Sequence, residues 1–329
     1  MVSDKWRIQA RSCRGIRRQP RLNMPARISR QLETVLFANE TSMNLVVELA
    51  RKLPDPLLKV LLRLRLNPFL RSGFDWFAIR MKNQDSVIQR GAGKGLRFNP
   101  GGSNAAYLLG TAEQEVQDVL KLWLRPGMNV YDVGANVGFI TVIAALLVGD
   151  SGNVCGFEPV PLLADQVVHN AGLNRFRQVS IHRVALSDQD GEAVFEVSEN
   201  LTMGKLVNRE SHEQEATSHL MVRKCKLDTL VAIGGLPDPD VVKIDVEGAE
   251  AAVLDGAAEV LRRARPALLI ELHSTNQAVA DRLEEMSFVG CLLGSHESIR
   301  AGPPNATVVA VPEERASMLE QIPTARGFK

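Results

Sequence analysis

The stretch NVYDVGANVG at residues 129–138, followed at once by the apolar run FITVIAALLV at 139–148, decides the fold. Val130, Tyr131 and Val133 make a short β-forming run that contains Asp132, and Gly134 and Gly138 bracket Ala135 and Asn136 ahead of a helical segment. The order is strand, glycine turn, helix. Such a turn aims backbone N–H groups and the positive end of a helix dipole at whatever lies above the strand tip, and its glycines let a ligand approach the backbone. A dinucleotide fingerprint would carry its second glycine where Asn136 stands, so the spacing disfavours a pyrophosphate.

Outward from this turn the chain alternates regularly. The pattern predicts a helix over 137–148 ended by Gly149, a strand over 153–157 ended by Glu158-Pro159, a helix over 162–171, and a strand over 179–186 ended by Ser187-Asp188. These are βα units of a parallel sheet. Residues 193–197 and 220–227 read as an antiparallel insertion around a polar loop, 241–246 as the next core strand, and 249–264 as one helix with acids at its start and Arg262 and Arg263 at its end. A strand over 267–272, a helix near 277–286 and strands near 289–293 and 306–311 complete the sheet. Before the turn, 86–90 and 95–99 read as a hairpin and 113–123 as an amphipathic helix.

Chemistry gathers at the strand ends. Glu158 lies 24 residues beyond Gly134, where an acid can accept hydrogen bonds from both hydroxyls of a ribose, so Asp132, Gly134, Asn136, Gly138 and Glu158 form a nucleoside-type constellation. KIDVEGAE at 243–250 places Asp245 at the carboxyl edge of a core strand, with Glu247 and Glu250 crowding the start of a helix. The helix terminus alone accounts for Glu250 about as well as function does. Glu271 and His273 alternate at the next strand end, where a histidine suits general-base work near neutral pH. Asp245, Glu247, Glu271 and His273 include the side chains a divalent cation would need, but no metal-binding spacing supports one, and no metal is expected.

Composition bounds the rest. The 329 residues are 45% hydrophobic and 23% charged with net charge +1, which excludes a globally basic nucleic-acid binder. Four separated cysteines suggest neither zinc nor disulfides, a pattern that fits the reducing cytoplasm, and no apolar run is long enough to span a bilayer. Residues 1–30 hold eight arginines and read as a disordered basic arm, a solvated tail in preference to an attachment to RNA or a membrane surface. Residues 31–85 read as a helical segment, and 86–329 as the main domain.

Eight motifs in order between Gly95 and His273 resemble the FkbM family of S-adenosylmethionine-dependent methyltransferases. They are GTAEQE at 110–115, DVGANVG at 132–138, FEP at 157–159, HNAGLN at 169–174, ALSD at 185–188, KLDTL at 226–230, KIDVEGAE at 243–250 and RPALLIE at 265–271. The resemblance implies an α/β fold, the doubly wound class I methyltransferase sheet of seven strands with the last antiparallel. It implies S-adenosyl-L-methionine as cofactor, with Gly134, Asn136 and Gly138 lining its methionine end, Glu158 on the ribose, Ser187 and Asp188 beside the adenine, and Asp245 near the transferred methyl. The expected reaction is O-methylation of a hydroxyl on a sugar, polyketide or other small metabolite, with Asp245, Glu247 and His273 as catalytic candidates and Lys243 in reserve. The partners expected are this small-molecule or glycan acceptor, no specific nucleic acid, and a second copy of the chain as an option left open. The rival readings are a cofactor-binding scaffold without turnover and a nicotinamide-dependent oxidoreductase; Asn136 in place of the fingerprint glycine disfavours the latter.

Overall fold

A computed structural model describes residues 83–102, 106–197, 204–207 and 218–323. The basic arm and the helical segment up to residue 82 lie outside the described residues, and 83–85 lead through a turn into the first strand. The expected hairpin is present as β1 (Ser86–Val87) and β2 (Arg97–Phe98), paired antiparallel. The short helix α1 (Ala106–Leu109), which no periodicity announced, precedes the amphipathic α2 (Gln114–Trp123).

The main domain then follows the alternation read from the sequence. β3 (Asn129–Val133), α3 (Phe139–Val148), β4 (Asn153–Phe157), α4 (Pro161–Leu173) and β5 (Val179–His182) form consecutive βα units. The chain next builds a second, four-stranded sheet from β6 (Ala185–Leu186), β7 (Gly191–Val197), β8 (Gly204–Val207) and β9 (Ser218–Cys225), ordered β6-β9-β7-β8. It returns through α5 (Leu227–Gly234), β10 (Val241–Ile244), α6 (Glu250–Gly256), α7 (Ala258–Ala264), β11 (Ala267–Glu271), α8 (Asn276–Glu285), β12 (Phe288–Leu292) and β13 (Thr307–Pro312), with α9 (Ser317–Glu320) following. The large sheet is ordered β12-β13-β11-β10-β3-β4-β5, and β13 runs antiparallel to both of its neighbours. This is the seven-stranded α/β sheet, last strand reversed, that the motifs implied.

Residue alternation decides what each face of the sheet carries. Tyr131, Val133, Val242, Ile244, Leu268 and Ile270 point into a core shared with Leu227 of α5, Leu254 of α6, Leu261 of α7 and Leu283 of α8. Asp132, one residue out of phase, faces α3, where Thr141 bonds it. No helix among the described residues is long and apolar enough to cross a membrane.

Two sequence boundaries move. The expected strand over 179–186 breaks at Arg183, because Val184 N–H turns back to the His182 carbonyl at 3.0 Å and β6 then leaves for the second sheet, parallel to β9. The expected single helix over 249–264 breaks at Ala257, whose N–H reaches only three residues back, to Leu254 O at 3.3 Å. Gly256 sits at this break because a Cβ there would lie 1.9 Å from the Ser187 carbonyl oxygen.

Candidate active site

The glycine turn at the tip of β3 is shaped first by the chain's own packing. Gly134 has φ 79°, and a Cβ on it would lie 1.8 Å from the carbonyl oxygen of Asp245. Gly138 has φ 84°, with Val167 of α4 only 2.8 Å from where its Cβ would be. Any side chain at either place would push the turn off the tip of β10 or off α4. Between them Asn136 takes a left-handed φ of 52°, which Asn tolerates better than most residues. That turn directs the Asn136 N–H to Glu158 Oε2 at 2.9 Å, while the Val160 N–H bonds Oε1 at 2.9 Å. Glu158 is 4% exposed, and burial pushes its carboxyl up to about 7 against the opposing pull of those two bonds. Each oxygen retains a further lone-pair direction with which to accept a ligand hydroxyl.

Under the turn lies a buried lysine among acids. The parallel register of β10 with β3 sets Lys243 beside Asp132. Lys243 Nζ is 3.9 Å from Asp132 Oδ1 and donates to Asp245 Oδ2 at 3.1 Å. Burial alone would lower the lysine's pKa, but Asp245, Glu113 and Asp132 outweigh it, so Lys243 stays protonated. Asp132 has no exposed surface; burial raises its pKa, and Thr141 donates to its Oδ2 at 2.6 Å. Asp132 therefore supports the site from beneath. Tyr107 of α1 and Glu113, just ahead of α2, close the cleft over Gly134, Asn136, Lys243 and Asp245. The sequence marks GTAEQE at 110–115 only as one of the motifs of the resemblance and singles out neither Tyr107 nor Glu113 for the site.

Beside Asp245 a second group is built around a histidine. Glu250 has no exposed surface; its Oε1 accepts the Gly248 N–H at 2.8 Å and faces His273 Nδ1 at 2.9 Å, and its Oε2 accepts the Thr275 hydroxyl at 2.6 Å. Glu250 thus closes the loop ahead of α6 and also holds His273. The other ring nitrogen, Nε2, stands 3.3 Å from Glu247 Oε2. Glu247 reaches that place from a left-handed backbone, φ 51°, next to Gly248. Burial pulls the His273 pKa down, but the Glu250 hydrogen bond and the charges of Glu247, Glu250 and Asp245 outweigh it, and the pKa ends above its ordinary value. Burial raises Glu247, and burial with the Asp245 charge raises Glu271. Asp245, Glu247 and His273 each bring a ligand atom within 4.8 Å of the others, close enough to hold a cation.

The structure therefore joins Asp132, Gly134, Asn136, Gly138, Glu158, Asp245, Glu247 and His273 along one edge of the sheet. Ser187 and Asp188 stand at the end of β6, in the second sheet. Ser187 donates its hydroxyl to Asp188 Oδ1 at 3.1 Å and its N–H to the Cys225 carbonyl, and its backbone packs on Gly256.

The profile of a family described as "Methyltransferase FkbM domain" matches residues 132–296. Over 204 residues the chain is 28% identical to the hexuronic acid methyltransferase AglP of Haloferax volcanii, covering 61% of this chain and 80% of that protein. It is 31% identical over 100 residues to a protein-L-isoaspartate O-methyltransferase of Triticum aestivum, 30% of this chain and 40% of that one. Among solved structures, the methyltransferase FkbM of Methylobacillus flagellatus superposes with TM-score 0.38 at 14% identity, covering 63% of this chain and 55% of that chain.

Proposed function

Because this chain belongs to the FkbM methyltransferase family, we propose that it moves a methyl group from S-adenosyl-L-methionine to a hydroxyl oxygen of a sugar or similar small metabolite. The residues fit such a cofactor on their own terms. A cleft under a glycine turn is lined by Glu113, whose buried Oε2 has no hydrogen-bond partner, and Glu158, held by the Asn136 N–H of the same turn, keeps lone pairs with which to accept the hydroxyls of a ribose. When bound, the cofactor supplies an electrophilic methyl on a sulfonium, so the protein's task is alignment, water exclusion and removal of one proton.

The observation that carries the reading is the Glu250–His273–Glu247 arrangement next to Asp245. With Nδ1–H held by buried Glu250, His273 turns Nε2 to the strand edge where acceptors of open α/β sheets bind, and there it becomes the basic nitrogen once an acceptor hydroxyl replaces its contact with Glu247. Its raised pKa strengthens it as a base for a hydroxyl proton. Asp245 and Glu247 stand at acceptor distance for neighbouring hydroxyls, which suits a polyol. The hexuronic acid methyltransferase among the relatives points to uronic acids and their glycosides as the first acceptors to try.

The test is transfer of labelled methyl from S-adenosyl-L-methionine to a panel of hexuronates, hexoses and their glycosides, in EDTA. Turnover is expected on a uronic acid or sugar hydroxyl, reduced by roughly a hundredfold or more in His273→Asn. Glu250→Gln removes the partner that raises the histidine's pKa, so the rising limb of its pH–rate curve should move to lower pH. Activity lost in EDTA and restored by Mg2+ would reassign Asp245, Glu247 and His273 to a metal. Binding of a nicotinamide cofactor in place of S-adenosyl-L-methionine would overturn the reading altogether.

A further inference from the structure

Glu113 does not do what its position in the chain would ordinarily ask of it. It is the N-cap residue of α2, yet its carboxylate makes no capping hydrogen bond to that helix. Its backbone is left-handed, φ 47° and ψ 41°, a conformation that a residue with a long side chain adopts only when its surroundings impose it. Here they do. Gln117, 1% exposed, donates to the carbonyls of Gly110 and Ala112 at 3.2 and 2.6 Å and accepts the Ala92 N–H at 2.8 Å. Gly110 fits so closely that a Cβ on it would lie 2.0 Å from the Arg90 carbonyl oxygen. The segment before α2 is clamped from both sides, and its side chain is delivered into the cleft rather than toward solvent.

What Glu113 meets there is an unmet need for a cation. Its Oε2 is buried with no hydrogen-bond partner. The nearby Lys243 lends it charge but no hydrogen bond, since Lys243 Nζ is turned to Asp245 at 3.1 Å and to Asp132 at 3.9 Å. Three carboxyl groups, Asp132, Glu113 and Asp245, therefore share one lysine, leaving acidic groups in excess. Burial holds the Glu113 carboxyl up near 7, which marks a group that a second positive charge would stabilise in its ionised form. A buried carboxylate oxygen without a donor is costly to keep, and it becomes an asset when the ligand brings the donor.

We propose that Glu113 is the acceptor for the α-ammonium group at the amino-acid end of the methyl donor, a role that rests on the S-adenosyl-L-methionine reading above. The ammonium supplies the N–H donors that the carboxylate lacks, and the left-handed turn at Glu113 is the device that sets the carboxylate against the glycine turn before the ligand arrives.

The test is calorimetry on the full chain with three ligands, S-adenosyl-L-methionine, S-adenosylhomocysteine and 5′-methylthioadenosine. The last keeps the adenosine and the sulfur and has no amino-acid portion. Glu113→Gln should weaken the first two by roughly ten- to a hundredfold, the loss of one charge-assisted bond, and leave 5′-methylthioadenosine within about twofold of the wild type. Glu113→Asp, which keeps the charge on a shorter arm, should fall between the wild type and Glu113→Gln for the first two ligands only. Equal weakening of all three would make Glu113 a support of the turn and overturn the proposal. An unchanged affinity for S-adenosyl-L-methionine in Glu113→Gln would overturn it too, while a wild-type chain that binds none of the three would overturn the cofactor reading with it.

Discussion

Glu113 has a consequence for stability that does not depend on any ligand. A carboxyl that titrates near 7 in the folded chain and near 4.5 in the unfolded one is bound to its proton more tightly when folded. Its contribution is therefore fully present below about pH 4.5 and is lost as the pH rises through about 7. A tenfold difference in proton affinity is worth about 1.4 kcal/mol, and with some discount for partial exposure the change between pH 5 and pH 8.5 is roughly 2 kcal/mol. Thermal melts of Glu113→Gln should thus show a gain over the wild type that is small at pH 5 and several degrees at pH 8.5. Glu158, also near 7, is common to both proteins and cancels. A gain equal at the two pH values would show that burial of charge is not its source. The sequence exposed Glu158 readily, because strand end and glycine turn lie a fixed distance apart in one βα unit. It hid Glu113 and Tyr107, which arrive from ahead of β3 through contacts that only the folded chain makes. Glu250 was half legible: its place at a helix start was evident, while its inward grip on His273 depends on β11 lying next to β10.

Among the elements, the βα units were legible from periodicity, since the central strands β3, β4, β10 and β11 bury nearly every residue and α3 ends at Gly149. The breaks were not. β5 and β6 fall within one strand-like stretch, and only the pairing of β6 with β9 divides them. Likewise α6 and α7 share one amphipathic pattern that parts where Gly256 meets Ser187. Two glycines show how packing and backbone preference separate as causes. Gly134 and Gly235, the glycine just after α5, both have positive φ, but a Cβ at Gly235 meets nothing within 4 Å, whereas one at Gly134 meets a carbonyl oxygen at 1.8 Å. Gly235→Ala, at φ 63° and ψ 29°, should cost about 1 kcal/mol, the left-handed penalty alone. Gly134→Ala should cost about 3 kcal/mol or more, lowering Tm by roughly 10 °C, because the tip of β10 must also shift. Equal melting temperatures for the two variants would deny that the turn is pressed against Asp245.

On the scale of the whole molecule, one edge of one sheet supplies most of the site, Tyr107 and Glu113 join it from the segment ahead of β3, and two turns at that edge carry most of the rest. The turn after β3 offers the glycines, and the turn after β10 offers Asp245 and Glu247. They touch with no clearance at Gly134, where even a methyl group has no room. Two turns in such contact cannot loosen independently, so whatever fills the first also braces the second. For the proposed methyl transfer this sets an expected order of binding. The acceptor should enter a cleft already stiffened by the donor, and the methylated acceptor should depart while S-adenosylhomocysteine still props the wall. Product-inhibition kinetics should accordingly show S-adenosylhomocysteine competing with S-adenosyl-L-methionine and the methylated acceptor not competing with it. A missing side chain at residue 134 would then be what makes the enzyme keep its spent cofactor until last.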